Sequence, residues 1–298
     1  MDDCRQGPMR TEEIERFRED GFILAGKVID GATTVKLRDS LATLDGGPVG
    51  EGTFSIDLMR RDERNKDFSF QYLSFLWKTR EEFRRVAFSP HLARMAAQLL
   101  GVERVVLFGD AAFMKHPENG GRLHWHQDSM AWPLDRPGGL TCWIALDEAT
   151  PDNGSMTFAR TSHLLGERLP VEATTGDTLY AGYGTGQKAG DTKGGDLSNS
   201  GMLPITSPAV EGLDEVATFY QPGEASFHDS LVWHASGYNT TKNFRRAYSI
   251  RYVDGNRLWA GEAKAFYWFK DEEAGVEVGQ PVGGPHFPTV WPSTNDHQ

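Results

Sequence analysis

Cysteine is scarce in this 298-residue chain, which contains only Cys4 and Cys142. Two isolated cysteines, with no CxxC pair in the sequence, cannot build a disulfide framework. Cys142 lies in the apolar run TCWIAL, where we expect a small core residue. This cysteine usage is typical of a protein in a reducing compartment, so we predict a cytoplasmic location.

The sequence also lacks long apolar runs and an excess of positive charge. No stretch approaches ~18 uninterrupted apolar residues, so we expect no membrane span, and the N-terminal MDDCRQGPMR contains no apolar signal segment. The 31 Lys and Arg residues are outnumbered by 42 Asp and Glu residues, giving a net charge of −11. This balance argues against nucleic-acid binding, which normally needs a basic surface. No pattern specifies an oligomeric state.

Helical patterns dominate the first hundred residues. TEEIERFRED predicts a charged helix over 11–20, and a second helix is predicted over 31–44 with Asp30 as its N-cap. Two more fall within 79–100, the last with Ser89 as cap, Pro90 in its first turn and Gly101 at its end. Residues 1–10 are expected to form a disordered tail.

After Gly101 the chain consists of short apolar or alternating runs separated by turn residues, such as RVVLFGDAAFMKH, LTCWIALDE and RRAYSIRYV. This pattern is typical of an antiparallel sandwich or barrel. We predict a single α+β domain, mainly β, over 1–298, in which N-terminal helices buttress a jelly-roll core. The glycine-rich segment 176–203 interrupts the pattern and is predicted to be a lid-like insertion.

Metal-ligating residue types meet in the segment HWHQD, residues 124–128. Alternate residues of a strand point the same way, so His126 and Asp128 can reach one metal ion. A third ligand can come from His234 in the strand-like run LVWHAS. Two imidazoles and one carboxylate form the facial triad of Fe(II) oxygenases, which leaves coordination positions open for a co-substrate and dioxygen. A lone strand histidine is more often a hydrogen-bonded core residue, so the triad alone leaves both interpretations open.

A cationic residue follows at a suggestive spacing. Arg245 lies eleven residues after His234, at the start of RRAYSIRYV, and can clamp the distal carboxylate of a dicarboxylic co-substrate. Ser236 shares the face of His234 and can add a hydroxyl donor. The alternative for Arg245 is a surface ion pair. Arg246 is expected to point to the opposite face.

Together, these segments resemble the phytanoyl-CoA dioxygenase (PhyH) family of Fe(II)/2-oxoglutarate-dependent oxygenases. The resemblance extends through FREDGFILAGKVI, SPHLARMAAQLLG, MKHPENGGRLHWHQD, LTCWIALDEATPDNGSMTFARTSH and PGEASFHDSLVWHASGYNTTKNFRRAYSIRYV. It implies a double-stranded β-helix fold, Fe(II), 2-oxoglutarate as co-substrate and O2. It also implies oxidation of a small metabolite, with release of succinate and CO2.

The resemblance carries over to single positions. His126, Asp128 and His234 match the family's iron ligands, and Arg245 and Ser236 match its 2-oxoglutarate carboxylate contacts. Trp143 matches a tryptophan that lines the co-substrate pocket, although a core aromatic is an equal alternative. An earlier co-substrate contact falls at Gln71 or Tyr72. The sequence departs from the family at Thr161, where a glycine is common, and this departure puts the local turn in doubt.

Two other functions remain open from the sequence. A cupin-like site with Zn or Mn on the same ligands can serve an isomerase or hydrolase, and a catalytically silent binding module can share the fold. The silent module predicts a missing ligand or a missing arginine, and both are present. Related halogenases replace the carboxylate ligand with a small residue, so Asp128 favours hydroxylation over chlorination.

Overall fold

The computed structural model describes residues 4–44, 54–57, 70–118, 120–168, 205–261 and 274–292. The helices within these residues are α1 (Thr11–Asp20), α2 (Gly31–Ala42), α3 (Leu76–Thr79), α4 (Glu81–Ala87) and α5 (Pro90–Leu100). The strands are β1 (Phe22–Lys27), β2 (Phe54–Asp57), β3 (Phe70–Ser74), β4 (Val105–Lys115), β5 (Leu123–His126), β6 (Gly139–Ala145), β7 (Met156–Ala159), β8 (Glu215–Ala217), β9 (Glu224–Asp229), β10 (His234–Ser236), β11 (Arg245–Asp254) and β12 (Thr289–Trp291).

Local sequence signals set the helix ends. The Asp30 carboxylate accepts a hydrogen bond from the Thr33 amide at 2.6 Å and caps α2. Ser89 caps α5 through the Leu92 amide, and Gly101 ends that helix in the left-handed region at φ 69°. A side chain is rarely tolerated at such a φ, which is why glycine suits the helix exit. The predicted ends of α2 and α5 are confirmed to within two residues.

Two antiparallel sheets form the core of the molecule. The larger follows the order β1-β9-β6-β11-β4-β3-β2, with β12 beside β4, and the smaller follows β5-β10-β7-β8. One face of the large sheet packs on the helices and contributes Tyr248 and Ile250 to the main apolar cluster. The other face contributes Trp143 and Ala247 to a cluster shared with Phe158 of the small sheet. This is the predicted jelly-roll core, which is confirmed, with few helices beside it.

A buried carboxyl group joins the helices to the large sheet. Asp110 of β4 accepts hydrogen bonds from the Trp77 amide at 2.9 Å and from the Tyr248 hydroxyl at 2.7 Å. Burial raises the pKa of Asp110 to about 6, against the lowering effect of the Tyr248 hydrogen bond. The face of β11 that packs on the helices is therefore held by apolar contacts and by this hydrogen-bonded link. Because the strand is held on this face, the positions of the side chains on its opposite face are also fixed.

The N-terminal segment differs from the expected disordered tail. The Arg5 amide donates to the Lys27 carbonyl at 2.8 Å, and the Arg5 guanidinium pairs with Glu13 at 2.5 Å. Met9 is buried, with 4% of its surface exposed. The polar composition of this segment gives no indication of these partners. Through Lys27 and Glu13 the segment is attached to β1 and α1.

The glycine-rich segment 176–203, predicted to be a lid, lies outside the described residues. Among the helices that are described, none is long and apolar enough to cross a membrane.

Candidate metal and co-substrate site

Three potential metal ligands converge at one end of the small sheet. His126 ends β5, and His234 begins β10 as its direct cross-strand partner, with ring centres 4.1 Å apart. Asp128 lies beyond the strand, where a helical backbone conformation opens the short 3-10 turn Ser129–Ala131. The turn, rather than strand alternation, therefore brings Asp128 to the histidines. One ligand atom from each of His126, Asp128 and His234 lies within 4.8 Å of the others.

Backbone carbonyls orient both imidazoles. His126 Nδ1 donates to the carbonyl of His124 at 2.7 Å, and His234 Nδ1 donates to the carbonyl of Val232 at 3.0 Å. A carbonyl oxygen can only accept, so each ring carries its proton on Nδ1 and keeps a lone pair on Nε2. The Nε2 atom of His234 lies 3.7 Å from Asp128 Oδ1. His124 itself contributes its carbonyl, and it is not a member of the ligand group.

The charge states of the three side chains suit a divalent cation. Burial, followed by the neighbouring His234, lowers the pKa of His126 to about 3. Burial and then His228 lower the pKa of His234 to about 4. Burial by itself raises the pKa of Asp128, but His234 and His228 outweigh it and hold the pKa well below its usual range. At neutral pH the group consists of two neutral imidazoles and one carboxylate, which together form a metal-ligand set.

Two residues of the large sheet support the carboxylate. Thr141 Oγ1 donates to Asp128 Oδ2 at 2.5 Å, and His228 Nε2 lies 3.4 Å from the same oxygen. Thr141 of β6 and His228 of β9 are register partners, so the sheet presents both to Asp128. His228 is buried, with 1% of its surface exposed, and packs next to the ligands. Thr141 carries no local sequence signal, because its contact depends on the pairing of β6.

Deeper between the sheets lies a pair of buried basic side chains. Arg245 begins β11, is 2% exposed, and has buried Nε and Nη1 donors without a hydrogen-bond partner. Lys115 ends β4 as the register partner of Arg245, and its ammonium donates to Ser236 Oγ at 2.7 Å. Burial lowers the pKa of Arg245 to about 9, so its guanidinium stays charged at neutral pH. Burial, followed by Arg245, holds the pKa of Lys115 well below its usual range.

Sequence reasoning missed Lys115. The glycine of the DNGS turn, Gly154, lies directly against the Lys115 side chain. A Cβ atom added to Gly154 would lie 2.7 Å from Lys115 Nζ and 2.5 Å from the Gly237 carbonyl oxygen. Because real side chains do not approach so closely, the turn must carry glycine at this point. The turn therefore closes over the lysine.

Arg246 takes the opposite face of β11, as expected from strand alternation. Its guanidinium pairs with Asp147 through two contacts, Nε to Oδ2 at 2.7 Å and Nη2 to Oδ1 at 2.9 Å. The two neighbouring arginines therefore have different surroundings. Arg246 forms an ion pair with Asp147, whereas Arg245 has donors between the sheets that no hydrogen-bond partner satisfies.

The two remaining predicted positions have different outcomes. Trp143 is 3% exposed and lies between the sheets, with the Arg245 guanidinium 5.6 Å from its ring centre. Gln71 does not face this region, because it follows the alternation of Leu73 toward the helices and its amide reaches the Leu44 carbonyl at 3.4 Å. Of the two co-substrate contacts that the resemblance implied, Gln71 therefore faces away from the site, and the alternative, Tyr72, lies on the site face.

The turn that departs from the family pattern still supports the site. Thr161 adopts the left-handed conformation, with φ 65°, that a glycine would favour. The next residue, Ser162, accepts a hydrogen bond from the Trp233 amide at 2.7 Å and donates to Ala159 at 2.7 Å. These bonds hold the chain immediately before His234. Gln127 points away from the ligands and donates to the Leu231 carbonyl at 2.6 Å.

Comparisons with known proteins agree with this geometry. The sequence profile of the family described as phytanoyl-CoA dioxygenase (PhyH) matches residues 17–247. A methylphosphonate hydroxylase from Gimesia maris is 23% identical over 270 residues, covering 91% of this chain and 89% of that protein.

Two solved structures are similar in fold. The epimerase SnoN in complex with Fe3+, alpha ketoglutarate and nogalamycin RO gives a TM-score of 0.69 at 20% identity, covering 94% of this chain and 97% of that one. EvdO2 from Micromonospora carbonacea var. aurantiaca, complexed with 2-oxoglutarate, gives 0.57 at 25% identity, with coverage of 85% and 94%.

Proposed function

The chain belongs to the phytanoyl-CoA dioxygenase (PhyH) family, and we propose that it is an Fe(II)- and 2-oxoglutarate-dependent dioxygenase. In this proposal it hydroxylates, or otherwise oxidises, a small-molecule metabolite and releases succinate and CO2. The observation that carries the proposal is the pairing of a His-Asp-His ligand group with a buried arginine that has idle donors. The predicted cytoplasmic location stays a prediction.

The donor set fits a single iron ion. At metal–ligand bonds of about 2.1 Å, two adjacent ligand atoms of a facial set lie about 3 Å apart. The ligand atoms here, all within 4.8 Å of one another, would draw closer by side-chain rotation as the ion binds. Two imidazoles and one carboxylate on one side match the facial triad of non-haem Fe(II) oxygenases. His126, Asp128 and His234 would hold the ion.

The buried basic side chains fit the distal carboxylate of 2-oxoglutarate. The Nε and Nη1 atoms of Arg245 are buried and have no hydrogen-bond partner. Buried, unsatisfied donors of a guanidinium favour a charge-assisted hydrogen bond to an anion. Ser236 lies two residues after His234 on β10, about 7 Å along the strand. That spacing matches a five-carbon diacid that chelates the metal at one end and meets Arg245 at the other. Trp143 would line the path between the two ends.

The protein's own residues would then position the metal ligands and the reactants, and exclude water from the site. When bound, the iron with its co-substrate and dioxygen supplies the oxidising power for an unactivated C–H bond. Thr141 and His228 hold the Asp128 carboxylate in place, and the backbone acceptors fix the rings of His126 and His234. Two ligands at strand ends and one in the adjoining turn would keep the reactive centre and substrate aligned, which is the main contribution that a protein makes to such chemistry.

A cupin-like Zn or Mn isomerase or hydrolase is the second candidate function, since it can use the same three ligands. The buried Arg245 favours the oxygenase, because isomerase or hydrolase chemistry does not by itself require a dicarboxylic co-substrate. Asp128 favours hydroxylation over chlorination, because it fills the ligand position that a halide would need.

A metabolite screen tests the proposal. The purified chain is given Fe(II), 2-oxoglutarate and O2, and succinate release is measured with each candidate metabolite. We expect substrate-stimulated succinate that is abolished in Asp128→Ala. Turnover of a metabolite with Zn or Mn, without 2-oxoglutarate consumption, would assign the chain to the second candidate function instead.

A further inference from the structure

The short turn after β7 is attached to the end of α1. Within this turn the Thr161 amide donates to the Asp20 carbonyl at 3.1 Å, and the Arg160 guanidinium pairs with the Asp20 carboxylate. Asp20 is the last residue of α1 and is buried. The carbonyl of the next residue, Gly21, accepts a hydrogen bond from the Asp229 amide at 2.8 Å. One helix end therefore holds both this turn and the start of the loop that leads from β9 to β10.

The two histidine ligands of the candidate metal site differ in what supports them. His126 ends β5, and its Nδ1 donates to the carbonyl of His124 in the same strand at 2.7 Å. His234 begins β10, and its Nδ1 donates at 3.0 Å to the carbonyl of Val232, in the loop before the strand. Loops are more mobile than the strands they connect. The direction of the His234 ring therefore depends on the contacts that this loop makes with other elements.

The Ser162 side chain bonds the turn to this loop. Ser162 is fully buried, with 0% of its surface exposed. Its hydroxyl oxygen accepts a hydrogen bond from the Trp233 amide at 2.7 Å, and its hydroxyl donates to the Ala159 carbonyl at 2.7 Å. The Trp233 carbonyl in turn accepts from the Ala159 amide at 2.9 Å. The residue before His234 is therefore bonded to the end of β7 and to the turn through both of its backbone groups.

Side-chain packing restricts the same loop. A Cβ atom added to Gly21 would lie 2.6 Å from His163 Nδ1 and 3.0 Å from Val232 Cγ2. The His163 ring and the Val232 side chain therefore both lie against Gly21 with no spare space. Val232 supplies the carbonyl that orients His234. The turn and the helix end together support the two residues that precede the ligand.

We propose that Ser162 is a positioning residue for the metal ligand His234. By accepting from the Trp233 amide, it fixes the main chain immediately before the ligand, and this fixes the direction of the His234 Nε2 lone pair. The inference rests on the proposed dioxygenase function, and Ser162 acts through the main chain rather than on the metal itself. Loss of a partner that orients a metal ligand typically weakens metal binding by about 10–100-fold.

The test compares anaerobic Fe(II) binding, measured by calorimetry, in the wild type, Ser162→Ala and Ser155→Ala. Ser155 is the matched control, because it is 2% exposed and its hydroxyl donates to the Thr218 carbonyl at 2.6 Å, beside the opposite end of β7. Ser162→Thr keeps the hydroxyl and is the rescue variant. The visible absorption band of 2-oxoglutarate chelated to iron and the thermal unfolding of the metal-free protein are recorded for each form.

We expect both alanine variants to unfold at a lower temperature, because each loses one buried hydrogen bond. Ser162→Ala alone should raise the Fe(II) Kd, by about tenfold, and shift the visible band. Ser155→Ala should stay within about twofold of the wild type, because it orients no metal ligand. Ser162→Thr should restore the Fe(II) Kd to within about threefold of the wild type, because the hydroxyl partner is kept.

Hydrogen exchange in the wild type makes the test independent of whether a variant folds. Fe(II) binding should increase the protection of the Trp233 amide, because a fixed His234 and a fixed Trp233 stabilise each other. The Thr218 amide is the internal control, since it donates to the Met156 carbonyl at 3.1 Å in the same sheet. Its protection should increase less than that of the Trp233 amide.

Three results would overturn the inference. They are an equal Fe(II) Kd in the wild type and Ser162→Ala, an equal rise of the Fe(II) Kd in both alanine variants, and equal gains in protection at the Trp233 and Thr218 amides. Failure of the dioxygenase proposal is a separate result. A wild type that binds Fe(II) but no 2-oxoglutarate would contradict that proposal, while the Fe(II) comparison would still decide the role of Ser162. A wild type that binds no Fe(II) would overturn both.

Discussion

Removal of the Arg245 guanidinium should weaken 2-oxoglutarate binding while leaving iron binding largely intact. Two of its donors, Nε and Nη1, are buried without a partner. A hydrogen bond to a charged group contributes about 1.5–3 kcal/mol, so two contribute about 3–6 kcal/mol. At about 1.4 kcal/mol per tenfold change, the loss corresponds to about 100-fold or more in Kd. We expect the lower end of that range in Arg245→Ala, because Lys115 still supplies a nearby hydrogen-bond donor.

The assay is anaerobic calorimetry of 2-oxoglutarate binding to the Fe(II)-loaded protein. Iron affinity is measured separately, and it should change by less than about threefold, because Arg245 contacts none of the three ligands. Arg245→Met serves as a second variant that fills more of the vacated space and limits any loss of stability.

Arg246→Ala is the matched control, since it removes the adjacent guanidinium from the opposite face of β11. It breaks the ion pair with Asp147, which costs little stability because the pair is partly exposed. The 2-oxoglutarate Kd should stay within about twofold, because Arg246 lies on the face of β11 away from the site. If Arg246→Ala weakened 2-oxoglutarate binding and Arg245→Ala did not, the register of β11 would be wrong by one residue.

Three further predictions follow from the same contacts. Lys115→Met should raise the 2-oxoglutarate Kd about tenfold by removing the donor to Ser236, and an unchanged Kd by calorimetry would refute that role. Thr141→Val should raise the Fe(II) Kd about tenfold by releasing Asp128, with Thr141→Ser restoring it; equal metal affinity in all three forms would contradict this. The Arg5 hydrogen bond lowers the pKa of Glu13 from 4.5 to about 2, so the unfolded state binds more protons between these values and the free energy of unfolding falls as pH falls through them. Glu13→Gln should flatten that part of the pH profile of thermal unfolding, whereas identical slopes would count against the pairing.

The sequence contained enough local information for the helices and for most of the site. Caps such as Asp30 and Gly101 act within a few residues, so they mark helix ends without knowledge of the tertiary fold. The ligands His126, Asp128 and His234 were recognisable because their residue types and the flanking segments occur together in one family.

The contacts that sequence reasoning missed depend on strand order and register. Thr141 and Lys115 reach the site because β6, β11 and β4 are neighbours, and this long-range pairing leaves no mark in the local sequence. The resemblance left Gln71 and Tyr72 both open, and only the register of β3 decides between them, because a shift of one residue in a strand reverses the face. The segment around Arg5 looked disordered by composition, yet its partners Lys27 and Glu13 lie farther along the chain.

The central claim is that one Fe(II) ion and one 2-oxoglutarate molecule share this site. The most direct measurement is an anaerobic titration of 2-oxoglutarate into the protein with and without Fe(II). Binding is monitored by the visible charge-transfer absorption band of a 2-oxo acid chelated to iron. We predict one 2-oxoglutarate per chain, an absorption band that requires Fe(II), and loss of the band in Asp128→Ala. Absence of both the band and any 2-oxoglutarate binding, in a protein that still binds the metal, would contradict the account.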